Sequence, residues 1–316
     1  MEEIRGNKDV RKVAVNFENF TFKYESQSKP TLHNINFKIY EGEKIVIVGP
    51  SGSGKSTIGH CINGLAPCFY KGEVSGKLEI YGKKCKEIFE HSKYIGTVLQ
   101  DSDAQFVGLT VAEDVAFALE NDEVETAVMK EKVKEIAQFV RIETLLDLKP
   151  HDLSGGQKQK VSLAGIMVDN AKIVLYDEPL ANLDPLSGKY AIELISELHK
   201  DKKLTTIIIE HRLEDVLHRE IDRIIVVDKG RIIADDTPDN ILKGNLLSKI
   251  NIREPLYISL LKYSNDNLER YDNISIFERI DFSTAKENIL NWIKYNSSPK
   301  KAESNETLLK LEIYKG

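Results

Sequence analysis

The chain has 316 residues, 41% of them hydrophobic and 30% charged, and a formal net charge of -6. That length suits one large domain with an appendage, or two domains, with an ample core, and the acidic balance argues against a general nucleic-acid surface. Cys61, Cys68 and Cys85 lack C-x-x-C spacing and read as reduced structural thiols, no run approaches the ~18 apolar residues of a membrane span, and Met-Glu-Glu-Ile-Arg at the start has no apolar signal region.

Residues 1–12 are charged and are expected to form a flexible N-terminus. Apolar residues alternate from Val13 to Tyr24, which predicts a strand with a break near Glu18-Asn19, and Leu32, Ile35, Phe37 and Ile39 continue the β pattern. Tyr24 has two readings, a π-face for a nucleotide base or a strand aromatic packed in a core. Ile45-Val46-Ile47-Val48 then reads as a buried strand, and Gly49-Pro50-Ser51-Gly52-Ser53-Gly54-Lys55-Ser56 fits G-x-x-x-x-G-K-S, with a helical run from Thr57. In that setting the glycines let backbone N–H groups approach phosphates at the positive end of a helix. Lys55 is expected to reach the β- and γ-phosphates and Ser56 to ligate Mg²⁺.

Thr57–Leu65 is predicted helical, Gly72–Gly82 a hairpin, and Ile95–Leu99 a short strand ending at Gln100. From Val111 to about Val140 the pattern is helical, with Asp114, Glu120, Asp122, Glu123 and Glu125 as an acidic face over Val111, Val115, Phe117 and Leu119. Gly and Pro are absent from Leu109–Lys149, as a helical subdomain requires. Leu153-Ser154-Gly155-Gly156-Gln157 precedes a helix over Lys158–Val168. Ile173–Tyr176 is a buried strand ending in Asp177-Glu178, Tyr190–His199 a helix, and Thr205–Ile209 a buried strand ending in Glu210-His211-Arg212. Ile224–Asp228 and Arg231–Ala234 read as a terminal hairpin. Strands alternating with helices predict a mostly parallel sheet covered by helices. Beyond Thr237-Pro238 the composition turns polar with scattered aromatics, and no catalytic constellation stands out.

Asp177 and Glu178 follow a buried strand, the end at which open α/β sheets bind ligands. Phosphoryl transfer needs a metal anchor, a role that suits Asp177, and a group that orients the attacking water, which suits Glu178.

Gly49–Thr57, Gln100, Leu153–Gln157, Ile173–Glu178, Leu183-Asp184 and His211 stand in the order seen in the ATPase subunits of ABC transporters, which the chain resembles over about Val13–Leu242. The resemblance implies an α/β P-loop NTPase fold: a RecA-like core, an antiparallel β subdomain, a helical signature subdomain and a small C-terminal α+β extension. It implies domains at 13–242, with the helical part at about 101–165, and an accessory domain at 243–316. By the same likeness Tyr24 stacks on adenine, Gln100 contacts Mg²⁺ and water, and Ser154, Gly155, Gly156 and Gln157 close over ATP held by another subunit. Asp184 communicates across the dimer, and His211 bonds the γ-phosphate, though a histidine after a strand is on its own more often structural. The implied catalytic set is Glu178, His211, Gln100 and Lys55, with Ser56, Gln100 and Asp177 toward the metal.

Gln100–Phe106, Val111–Phe117, Asp177–Pro185 and Glu210–Asp215 resemble more narrowly the ATPases of energy-coupling-factor importers, which take up vitamins or transition-metal ions. Ile252–Tyr257 resembles the extension of members in which two ATPase halves are fused, and Leu308–Ile313 resembles the opening strand of a second half. Ala118 and Thr97-Val98-Leu99 depart from the usual pattern. The implied protein binds ATP and Mg²⁺ as a homodimer or a heterodimer with a related ATPase. It would sit peripherally on the cytoplasmic face of the membrane against integral coupling and substrate-binding subunits, with no nucleic acid. The alternative is a soluble ABC-family ATPase acting on ribosomes or DNA. The span from Thr57 to Asp152 shows no sustained heptads for a long coiled coil, and the acidic balance disfavours RNA.

Overall fold

In a computed structural model that describes residues 11–84, 87–99, 105–168, 171–181, 183–256 and 258–259, the first alternating segment is strand β1 (Val13–Tyr24). It pairs antiparallel with β2 (Leu32–Tyr40). β3 (Lys44–Val48) feeds the glycine-rich loop and then α1 (Lys55–Ile62) and the short α2 (Leu65–Cys68). β4 (Gly72–Ile80) is a single strand on the other edge of β1, so Gly72–Gly82 is not the expected hairpin. The turn-like Ser75-Gly76 instead absorbs an irregularity opposite Asn19: Gly76 sits at φ +81, where a Cβ would run into the Asn19 carbonyl. The break expected at Glu18-Asn19 is that same irregularity inside one continuous strand.

Next come α3 (Ile88–Ser92), β5 (Ile95–Val98), α4 (Val111–Asn121), α5 (Thr126–Val140), α6 (Gly155–Met167) and β6 (Ile173–Asp177). α7 (Pro185–Lys202), β7 (Thr205–Ile209), α8 (Leu213–Val216), β8 (Arg223–Asp228), β9 (Arg231–Asp236), α9 (Pro238–Lys243) and α10 (Leu246–Lys249) follow. α4 buries Val111, Val115 and Leu119, whereas Phe117, expected beneath the acidic face, is 44% exposed. Two residues past Val115 a helix has turned ~200°, which points that side chain away from the core.

Two sheets result: a three-stranded antiparallel one ordered β2-β1-β4, and a six-stranded one ordered β5-β6-β7-β3-β8-β9. The larger sheet is parallel except for β9 at its edge. One core joins the antiparallel sheet, α1 and a face of the parallel sheet, through Phe17, Phe22, Ile39, Ile45, Ile58, Ile62, Leu175 and Ile207. The pleat turns Val46, Val48, Val174 and Tyr176 to the opposite face, where they are also buried. Residues through Pro255 form one compact unit; Leu256 begins a second. Among the described residues no helix is long and apolar enough to cross a membrane.

At the start of β3 this core holds a charge. Lys44 is 3% exposed and donates to the Ser196 hydroxyl at 2.5 Å, while its N–H meets Asp222 at 2.7 Å. Burial first, then the nearby Lys200, lowers its pKa to about 8. A lysine whose pKa falls on folding weakens the fold wherever both states are charged, so the cost is full below pH ~8 and fades toward pH ~10.5. Ser196 also donates to the Ile192 carbonyl, so it keeps a partner without the amine. Lys44→Met should therefore raise stability by about 2 kcal/mol at pH 7, with the gain shrinking above pH ~8 in urea unfolding titrations.

Candidate nucleotide-binding site

Parallel register brings the chemistry together. Ile47 and Asp177 both lie beside Ile209, so β3, β7 and β6 end at one level. The loop leaving β3, Asp177-Glu178 after β6 and Glu210-His211 after β7 therefore emerge side by side. Two backbone bonds lock the ends: Glu178 N donates to Ile209 O at 2.9 Å, and Glu210 N to Ile47 O at 3.2 Å.

A loop over residues 49–54 needs its glycines. A Cβ on Gly49 would collide with the Val227 carbonyl, and Gly54, at φ +104, would press Leu32 at 2.9 Å. The turn after β8 braces the arc from behind, with Gly230 N donating to Ser53 O at 2.8 Å. Composition signalled that turn only as a hairpin, so its service to the loop was not legible. The Lys55 ammonium donates to Gly49 O at 2.9 Å and Pro50 O at 3.0 Å, across the mouth of the arc. Burial lowers its pKa, and the carboxylates of Glu178, Asp177 and Glu210 oppose that shift.

An open cleft of about 700 Å³ gathers Tyr24, Gly49–Gly52, Gly54–Thr57, Glu178 and His211. Tyr24 packs its ring edge-on against Phe22, pairs its hydroxyl with Thr57 Oγ1 at 3.1 Å, and lines the cleft. Glu178 sits at φ 49, a left-handed conformation that costs a non-glycine residue ~1 kcal/mol or more. Its carbonyl accepts from Ala181 N at 3.1 Å, which helps hold that turn.

Glu210 was not singled out from the sequence. Its carboxylate is fully buried: Oε1 accepts from the N–H groups of His211 and Arg212 at 2.8 and 3.1 Å, and Oε2 from Leu180 N at 3.3 Å. His211 Nδ1 lies 3.1 Å from Oε1, an arrangement that leaves Nε2 for the cleft. Arg212, likewise missed, donates to Leu180 O at 2.9 Å and pairs with Asp215 at 2.7 Å, tying the loop after β6 to β7's end. Gln159 on α6 reaches the same loop through Pro179 O at 2.9 Å. Glu210 and Arg212 were marked in the sequence only by adjacency to a strand end, and Gln159 by nothing.

Ser154, Gly155, Gly156 and Gln157 do not line this cleft. Ser154 caps α6 in a capping box with Gln157, and the first turn carries exposed Ser154 and Gly155. Asp184 caps α7 through Leu186 N, Ser187 N and the Ser187 hydroxyl. Gln100 lies outside the described residues, as do Cys85 and the segment from 260 to 316. Cys61 is buried, Cys68 half-buried, and neither is in a disulfide among the described residues.

The residues present fit a nucleotide with a divalent cation. Among the described residues the buried Asp177 Oδ1 and Ser53 Oγ atoms find no hydrogen-bond partner, a hard carboxylate oxygen and a hydroxyl of the kind such a cation and phosphate would engage. Strand, glycine-rich loop, helix, and acidic strand end define a P-loop nucleotide-binding protein with a helical signature subdomain.

Comparison narrows that class. The family model described as ABC transporter matches residues 32–181, and one described as ATP-binding cassette cobalt transporter matches 244–313. A Clostridium perfringens protein provisionally named as an ABC transporter ATP-binding protein is 53% identical over 96% of this chain and 54% of its own length. A like-named protein of Photobacterium profundum is 52% identical over 94% of this chain and 53% of its own. Among solved structures, cbiO1 from Clostridium perfringens, titled part of the ABC transporter complex cbiONQ, is similar at TM-score 0.68 and 30% identity, covering 79% of this chain and 99% of that one. The chain belongs to the ATP-binding proteins of ABC transporters. It spans about half the length of the curated relatives it matches.

Burial first, then the charge of Glu178, pushes the Asp177 carboxyl up to about 6. A carboxyl raised on folding costs no stability below its unfolded value near 3.8 and its full cost above ~6. Asp177→Asn should melt higher than wild type without ligand at pH 7, and calorimetry from pH 7 to 4 should show the gap closing.

Proposed function

We propose that this chain binds and hydrolyses ATP to power import across the cytoplasmic membrane, as the ATPase of an energy-coupling-factor type transporter for a vitamin or metal ion. The observation that carries the reading is a division of labour. The phosphate loop, Glu178 and His211 share one cleft, while Ser154–Gln157 cap an exposed helix start outside it. The positive end of an exposed helix suits a γ-phosphate, so the signature of one ATPase unit would complete the site of another.

In the proposed site the loop N–H groups and Lys55 hold the β- and γ-phosphates, and Tyr24 offers its ring to adenine. Ser56 and Asp177, with Gln100, would hold Mg²⁺, which when bound neutralises charge developing on the phosphates. Glu178 orients and deprotonates the attacking water. His211, braced by Glu210, donates to the γ-phosphate, and Asp184 stands at the opening of α7 for contact with the opposite unit.

The length of the relatives supports a second unit in the same protein. Relatives about twice as long support a tandem protein in which a second ATPase half supplies the facing signature, in preference to a homodimer or a separate related ATPase. The match at 244–313 and the likeness to a component of the cbiONQ complex support membrane-embedded partners and peripheral attachment at the cytoplasmic face. Val107, Leu109 and Phe117, exposed at 60%, 80% and 44%, offer those partners an apolar surface. Both matched descriptions name transporters, which supports this reading over action on ribosomes or DNA.

Glu178→Gln should leave ATP affinity within about twofold while steady-state turnover falls by about a thousandfold or more, since the amide cannot take the proton. Near-normal turnover in that variant would remove Glu178 from the proposed role.

A further inference from the structure

After α10 the chain returns to the phosphate loop, in a segment with no role yet at the nucleotide. α10 ends where Asn251 turns left-handed at φ 58. Ile250 N and Ile252 N both return to the Leu247 carbonyl, at 3.2 and 2.9 Å, and Asn251 N to Ser248 O at 3.2 Å. Ile252 and Leu247 are buried, at 7% and 0% exposure, so the turn is anchored in the core. Arg253 follows directly and is exposed.

That anchored turn lies on the nucleotide cleft. Asn251, Ile252 and Arg253 line the cleft together with the loop residues and Glu178. Lys249, Ile250 and Asn251 line an adjoining recess with Pro50–Ser53 and Lys229. Residues 249–253 therefore line, together with Pro50–Gly52, both recesses at the loop. Within the cleft lining Lys55 and Arg253 are the permanent cations, and Lys55 is already bonded to two loop carbonyls. Among the described residues no hydrogen bond or ion pair engages the Arg253 guanidinium.

We propose that Arg253 is a nucleotide-binding residue whose guanidinium pairs with the polyphosphate of a nucleoside triphosphate seated on residues 49–56. This rests on the ATP-binding reading above and adds a contact from outside the phosphate loop. A guanidinium fork matches phosphate oxygens in bidentate fashion, and such charge-assisted bonds are about twice as strong as neutral ones. Because Ile252 fixes the backbone, little chain entropy is lost when the side chain closes over the ligand. The contact grows with phosphate charge, so Arg253 favours the triphosphate over the diphosphate and is indifferent to the nucleoside.

The test is isothermal titration of the full chain with ATP, ADP and adenosine, for wild type, Arg253→Ala, Arg253→Lys and Lys55→Ala. Arg253→Ala is expected to bind ATP about tenfold more weakly, to lose less for ADP, and to bind adenosine as wild type does. Arg253→Lys should recover part of the loss. The melting temperature without ligand should not change, because the side chain is exposed. ATP affinity within twofold of wild type in Arg253→Ala, while Lys55→Ala is impaired, overturns this inference and spares the loop assignment. An equal loss for adenosine also overturns it, by moving the contact to the nucleoside. A wild-type chain that binds no ATP overturns both readings.

Discussion

Everything at the site depends on the parallel register of β3, β7 and β6. Ile47, Ile209 and Asp177 stand abreast, so the chain must leave three neighbouring strands at one edge of the sheet. A slip of one residue in β6 or β7 would exchange the residues on its two faces and carry the carboxylate at its end to the other side of the sheet. The β-branched content of these strands therefore positions the chemistry as well as filling the core. Buried bonds then fix what the register has aligned: Glu178 N on Ile209 O, Glu210 across the strand end onto Leu180 N, and Arg212 onto Leu180 O.

The same edge concentrates unfavourable electrostatics. Asp177, Glu178 and Glu210 gather around Lys55, Asp177 is held well above the usual carboxylate range, and Lys55 is held below the usual lysine range. Glu178 adds a left-handed backbone. These costs make sense in a site shaped for a highly charged ligand, which would supply counter-charges and relieve them. The surrounding core, with Phe17 stacked on Phe37 at 4.8 Å and Ile45, Ile58 and Leu175 buried, tolerates that local penalty.

The strands, the phosphate loop, the acidic strand end and the helix after Gln157 were legible because each has a local signal: β-branched runs, glycine spacing, or apolar residues at helical spacing. What escaped were long-range relations. Gly76 looked like a hairpin turn because a positive-φ glycine serves a bulge equally well, and the partner at Asn19 is far away in sequence. Phe117 looked buried because apolar character alone does not say which side of a helix it occupies. Glu210, Arg212 and Gln159 gave no signal of their own, since their roles come from backbone groups on other elements. The bracing of the loop by the turn at Gly230, and the return of residues 249–253 to the cleft, are likewise products of topology.

The central claim is that a nucleotide on one ATPase unit is completed by the signature of another. The most direct measurement is ATP turnover of the assembled protein carrying Ser154→Arg, a change at an exposed helix cap that does not line its own cleft. The account predicts that ATP affinity stays near wild type while turnover is lost. Wild-type turnover in that variant, or full activity from a dilute isolated unit, would contradict it.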